Sequence, residues 1–155
     1  MAEFSPKFKE ALSLVQKPGR YTGGEPGCIY KDKSKVDVRM AFCFPDTYEI
    51  GMSFLGEKIL YDILNRHENW WCERAFMPWT DMKVQMERLD IPLYCLESKD
   101  PLTDFDIVGF SLEYELCYTN VLAMLRLSGI PLRAADRDER WPLIIAGGPC
   151  VCNAE

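Results

Sequence analysis

Residues 105–112, FDIVGFSL, form an unbroken apolar run, and such a run predicts a strand covered on both faces. Strands of that kind belong to parallel sheets flanked by helices. The rest of the sequence supplies matching pieces. VDVRMAFCF, from Val36, alternates at first, becomes continuously apolar and stops at Pro45-Asp46. PLIIAGG, residues 142–148, reads as a last strand, and CERAFMPW and IPLYCLES as two shorter ones. Helical patterns lie between them. Met52, Leu55, Ile59, Leu60, Ile63 and Leu64 mark one face of a helix ending near Asn65-Arg66-His67. DMKVQMERLD predicts a short helix, and ELCYTNVLAMLRLSG a longer one with Gly129 as its C-terminal cap. The connections are too long for hairpins, so crossovers and a mainly parallel sheet follow. The expected fold is an open doubly wound, Rossmann-like α/β domain.

Ahead of that domain, Phe4, Phe8, Leu12 and Val15 are spaced for a helix over residues 1–18, stopped by Pro18-Gly19. Residues 18–35 are rich in Gly, Pro and charge and read as a loop, either a plain surface connection or a flap carried by Gly23-Gly24 over a neighbouring site. We therefore divide the chain into an extension, 1–35, and a domain, 36–155.

Composition narrows the function. The 155 residues carry a net charge of −6, which disfavours nucleic acid and acidic membranes, because both need clustered Lys and Arg. The N-terminus has charges throughout and lacks the apolar core of a signal peptide or membrane span. Seven cysteines are an odd number, and Cys43 and Cys95 fall inside apolar runs, so reduced thiols in the cytoplasm are expected. There is no C-x-x-C, and Cys150-Val151-Cys152 is too tight for the usual zinc clip.

Open parallel sheets bind ligands at the carboxyl ends of their strands, where the strand order reverses. Three loops leave those ends: FPDTYEIG, SLEYE and GGPC. In the first, Asp46 either caps the next helix or accepts a ligand hydrogen bond, and Gly51 permits close approach or a positive φ. Its glycine spacing fits neither G-x-G-x-x-G nor the Walker loop. In the second, Ser111 lacks a base, because the sole histidine, His67, ends a helix on the opposite rim; this argues against a hydrolase. Glu113 and Glu115 serve as an acid/base pair or as acidic residues at a helix start. In the third, Gly147 and Gly148 admit a flat ligand or make a tight turn. The aromatics of NWWCERAFMPW read as packing, with Trp79 beside the crevice or on a docking surface.

Four phrases, FPDTYEIGMSFLGEKILYDILN, ERAFMPWTDM, IPLYCLESKDPLTDFDIVGFSLEYELCYTNVL and IIAGGPC, carry a collinear resemblance. From about Arg20 to its end the chain resembles the N-terminal, cobalamin-binding-like domain of a group of bacterial and archaeal radical S-adenosylmethionine proteins. The resemblance implies a flavodoxin-like fold ahead of a radical-enzyme barrel, in which C-x-x-x-C-x-x-C holds a [4Fe–4S] cluster that cleaves S-adenosylmethionine. None of the seven cysteines has that spacing, so cluster, S-adenosylmethionine and catalysis are expected beyond residue 155. Cobalamin-binding domains often carry D-x-H-x-x-G, S-x-L and GG. Here Asp46 to Gly51 matches with Tyr48 in place of the cobalt-ligating His, Ser111-Leu112-Glu113 lacks the final Leu, and Gly147-Gly148 matches. The resemblance thus implies a corrin and nucleotide-tail crevice at Asp46, Tyr48, Gly51, Ser111, Glu113, Gly147 and Gly148. Either cobalamin binds without a protein ligand, or the fold persists without the cofactor. The expected partner is the protein's own C-terminal barrel, with a homo-oligomer left open. The alternative is a non-catalytic docking module whose crevice stays empty, with the Trp-rich segment and the 18–35 loop as its contact surface.

Overall fold

Four apolar segments pair side by side because each supplies a backbone ladder and two faces to cover. A computed structural model describes residues 4–153. Its strands are β1 (Val38–Phe44), β2 (Trp70–Phe76), β3 (Ile107–Ser111) and β4 (Leu143–Gly147). All pairings are parallel, in the order β2-β1-β3-β4, as the doubly wound expectation requires. The helices are α1 (Pro6–Ser13), α2 (Gly19–Thr22), α3 (Tyr48–Gly51), α4 (Leu55–Asn65), α5 (Thr80–Leu89) and α6 (Cys117–Leu127). None of the described helices is long and apolar enough to cross a membrane.

One sheet face carries the main core. Ala41, Cys43, Ala75, Val108 and Phe110 pack there with Met82 and Met86 of α5 and Met124 and Leu125 of α6. The start of the chain belongs to the same core through Phe8, Ala11, Val15 and Tyr21. Helix α1 is shorter than its apolar spacing predicts. Ser5 caps it by accepting the Phe8 N–H (3.2 Å), Pro6 occupies the first turn, and the chain leaves the helix at Leu14. At the end of α6 the Ile130 N–H reaches back to the Leu125 carbonyl (3.0 Å) and Gly129 takes φ +71°, the cap the sequence predicts.

Two expectations are overturned. IPLYCLES is buried over residues 93–98 but is no sheet strand; its sole ladder contact is an isolated antiparallel bridge from Tyr94 to Pro101. Pro92 removes a donor, and the segment bonds to itself when the Cys95 N–H donates to the Asp100 carbonyl (3.0 Å). It serves instead to finish the outer edge of β2. The Leu96 N–H donates to the Arg74 carbonyl (2.8 Å), and the Arg74 N–H donates to Glu97 Oε2 (2.8 Å). One turn lower, the Asn65 amide does the same for both backbone groups of Cys72 (2.9 and 3.1 Å).

The second reversal is α4. Its apolar stripe faces outward, with Leu55 67 %, Ile59 49 % and Ile63 47 % exposed, whereas Glu57, Tyr61 and Asn65 turn inward. Tyr61 and Asn65 go in because partners await them. Asn65 completes β2, and the Tyr61 hydroxyl accepts the Ile29 N–H (2.8 Å). The sequence pattern registers apolarity and is blind to such partners. The loop at 23–31 is likewise fastened down, Lys31 Nζ donating to the carbonyls of Asn65 (2.8 Å) and His67 (2.6 Å).

Candidate functional site

The chain steps from β1 outward to β2, then returns across β1 to place β3 on its other side, so the order reverses between β1 and β3. Loops after those two strands leave toward opposite faces, and a crevice opens between them. Its rim is stitched. The Tyr114 hydroxyl donates to Asp46 Oδ2 in a short bond, and Asn120 Nδ2 donates to the Pro45 carbonyl (2.9 Å). The bond to Asp46, helped by desolvation, pushes the Tyr114 phenol up to about 12. Asp46 Oδ1 also accepts the Thr47 N–H (2.6 Å), so this carboxylate braces the turn and does not cap α3 through its own helix position. The β4 loop closes on the same rim: the Leu112 N–H donates to the Gly147 carbonyl (2.7 Å), and the Cys150 N–H to the Leu112 carbonyl (3.1 Å). Ser111 donates its hydroxyl to Glu113 Oε1 (2.6 Å).

Below that rim the second sheet face is only half covered. Register places Met40 beside Ile107 and Leu143, Phe42 beside Gly109 and Ile145, and Ser111 beside Gly147, all on one face. Helix α4 lies over the β1–β2 half, where Phe42, Tyr61 and Cys72 form a small second cluster. Over β3 and β4 a groove of about 560 Å³ remains, walled by Phe54, Leu60 and Leu64 on one side and floored by Gly109 and Ile145. That volume lies in the range of small-molecule sites. Ser111, Glu113, Gly147 and Gly148 sit at its rim end. A Cβ on Gly147 would enter open space, so this glycine widens the groove. Gly148 has a different job. It takes φ +109°, and a Cβ there would lie 2.5 Å from the Leu112 carbonyl oxygen. Gly148→Ala is therefore expected to cost about 1–3 kcal/mol in a urea unfolding curve; an unchanged midpoint contradicts this geometry.

A family profile described as "Radical SAM proteins, N-terminal" matches residues 56–155, well over half of the chain. The chain belongs to this family. The uncharacterized protein MJ0966 of Methanocaldococcus jannaschii is 24 % identical over 117 residues, which are 76 % of this chain and 20 % of that protein. This radical SAM N-terminal chain thus spans about a fifth of the relative's length. No solved structure matches it.

In this radical SAM N-terminal region the family match begins at Gly56, so α4, the groove floor and the GG turn fall inside it while Asp46, Tyr48 and Gly51 precede it. Structurally those three also divide. Asp46 joins Ser111, Glu113, Gly147 and Gly148 at the crevice, but Tyr48 and Gly51 do not. Tyr48 packs edge-on against Phe76 of β2, and its hydroxyl donates to Glu25 Oε1 (2.8 Å). Gly51 has no positive φ; it is glycine because a Cβ would collide with the Phe76 ring. Trp79 also stands away from the groove, half exposed beneath the Arg20 guanidinium (5.5 Å), while Trp70 lines it.

Sequence reasoning missed a polar cluster at the β2 edge, beneath α4 and the 23–31 loop. Arg74 of β2 donates through Nε to Glu97 Oε1 (2.7 Å) and through Nη2 to Cys28 Sγ (2.9 Å) and Glu25 Oε2 (3.3 Å). Its guanidinium lies 4.7 Å from the Tyr61 ring centre. Burial opposes the charge on Arg74, yet Glu97 outweighs it and the guanidinium is held more firmly protonated than usual. Burial also raises Glu97, more than Arg74 lowers it. Next to them Glu57 is 2 % exposed, and neither carboxyl oxygen has a hydrogen-bond partner. The one signal was the charged pair Glu73-Arg74 inside CERAF, since charges within a strand run need buried partners.

Proposed function

We propose that this chain is the N-terminal accessory domain of a radical S-adenosylmethionine enzyme and that its groove receives the nucleotide tail of a cobalamin. The observation that carries the reading is the 560 Å³ apolar groove opening at the reversal of strand order, with Gly147 leaving its rim end free of side chain. Met40, Phe42, Leu60 and Ile145 would exclude water from a flat heteroaromatic base, and Ser111 would offer a hydroxyl at the mouth. A bound corrinoid would supply methyl-transfer or one-electron chemistry at its metal. The cobalt-ligand half of the motif does not fit: the Tyr48 phenol is committed to Glu25 and packed against Phe76, and burial raises its pKa. We therefore read the site as one without a protein ligand to cobalt. Within this proposal residues 1–35 are an extension serving the main core, residues 36–155 are the domain proper, and the iron–sulfur cluster and S-adenosylmethionine belong to a catalytic domain C-terminal to it.

Titration of the purified protein with hydroxocobalamin, followed in the visible spectrum and by co-elution on gel filtration, tests this. Binding is expected, and Gly147→Leu should weaken it at least tenfold while the far-ultraviolet circular dichroism stays unchanged. A wild-type protein that leaves hydroxocobalamin unperturbed refutes the cofactor reading.

A second reading, a docking module with an empty crevice, draws on the outward stripe of Leu55, Ile59 and Ile63. It predicts that fluorescence of the exposed Trp70 and Trp79 shifts when the catalytic domain is added and ignores hydroxocobalamin.

A further inference from the structure

We propose that the open half of the β3–β4 face is closed by a strand and helix that follow residue 155 in the longer protein, the strand pairing with the free edge of β4 and the helix lying beside α4. This goes beyond the cofactor reading and stands whether or not a corrinoid binds.

The two edges of the sheet differ. On β2 the outward backbone groups of Cys72 and Arg74 are taken by Asn65, Leu96 and Glu97. On β4 no strand among the described residues lies on the far side, and Leu143 and Ile145 remain 62 % and 42 % exposed. An apolar edge left in that state templates pairing with whatever chain reaches it. Parallel strands are, besides, normally covered on both faces.

Handedness says what the cover can be. The β1–β2 crossover runs through α4 on the groove face, and the β2–β3 and β3–β4 crossovers run through α5 and α6 on the other, as right-handed connections demand once the direction of travel reverses. Any strand added beyond β4 would be reached by a crossover on the α5–α6 face again. No crossover can close the open half; a helix that follows the last strand and returns across the sheet can. Such a helix would meet Gly56, Leu60 and Leu64, the flank of α4 that looks into the groove. It would turn an open groove into a slot between two helices and leave the mouth at Ser111 and Gly147 free. The crossover, the strand and the helix with their loops need about 40 residues. The relative has room for them, since the matched residues make up 20 % of its length.

The test uses the full-length, cobalamin-free protein with the photo-reactive p-benzoylphenylalanine in place of Leu143, followed by mass spectrometry of the cross-linked peptides. The expected product is an intramolecular link to a segment within about 50 residues after Glu155. A link to another copy of the chain, or to a distant part of the catalytic domain, overturns the proposal. Amide hydrogen exchange of the unsubstituted protein gives a second readout. Amides of residues 143–147 should exchange at least about a hundredfold more slowly than those of an open edge strand, matching β2; rapid exchange there also overturns it. Because both readouts are taken without cobalamin, failure here leaves the corrinoid titration to stand or fall separately.

Discussion

Arg74→Leu is expected to lower stability by about 3–5 kcal/mol, the cost of leaving a buried carboxylate without its partner. Glu97 has no exposed side-chain surface, and Arg74 is its 2.7 Å counter-ion. Without the guanidinium, Glu97 must either remain charged in a dry site or take up a proton, and both outcomes favour the unfolded chain. The loss extends further, because the same guanidinium holds Cys28 and Glu25 and so ties the 23–31 loop to the sheet. A urea unfolding curve measures the effect. The double variant Arg74→Leu/Glu97→Gln should recover most of it, since a neutral amide can still accept the Arg74 backbone N–H that Glu97 Oε2 accepts. A double variant no better than the single would mean that the loop contacts, and not the buried charge, dominate.

Glu57→Gln should act in the opposite direction and raise stability by about 3 kcal/mol at pH 7. Burial pushes the Glu57 carboxyl up to about 8, with only a partial opposing pull from Arg74. A folded-state value above the unfolded value of about 4.5 means that the native protein holds this proton when the unfolded chain has already lost it. The wild-type domain therefore has its full share of stability below pH 4.5, and loses it as pH rises toward 8, at about 1.4 kcal/mol per unit. Glutamine has nearly the same shape and does not titrate. The variant should match the wild type near pH 4 and pull ahead steadily from pH 5 to pH 8 in thermal unfolding. Parallel pH profiles for the two proteins would show that Glu57 is hydrated or paired and sink the argument.

Both groups sit where the sequence was least legible. The sheet was readable because VDVRMAFCF, FDIVGFSL and PLIIAGG are longer than chance apolar runs and are separated by helical spacing. The convergence of Asp46, Ser111 and Gly147 followed from topology alone, because parallel strands deliver their following loops to one rim. Side-chain direction did not follow. Tyr48 sits at the motif position, but the α3 turn swings it toward β2, where Glu25 reaches in from a loop that the sequence left unplaced. The α4 stripe misled for a related reason. Leu55, Ile59 and Ile63 have the spacing of a buried face, yet two of the inner positions go to Tyr61 and Asn65, which finish hydrogen bonds on the 23–31 loop and β2. Periodicity measures how apolar a face is and carries no information about which edges need donors and acceptors. The groove was invisible on the same account: it is a place where cover is missing, and a pattern of residues records only the strands beneath.

The most direct test is the electron paramagnetic resonance spectrum of cob(II)alamin bound to the full-length protein. If the nucleotide base is drawn into the groove and no imidazole replaces it, the nitrogen superhyperfine triplets on the cobalt lines should vanish. Triplets that persist would mean that the base, or a histidine from elsewhere in the protein, still ligates cobalt. That result would contradict a tail-binding groove in which the residue at the cobalt-ligand position of the motif, Tyr48, is turned away and hydrogen-bonded to Glu25.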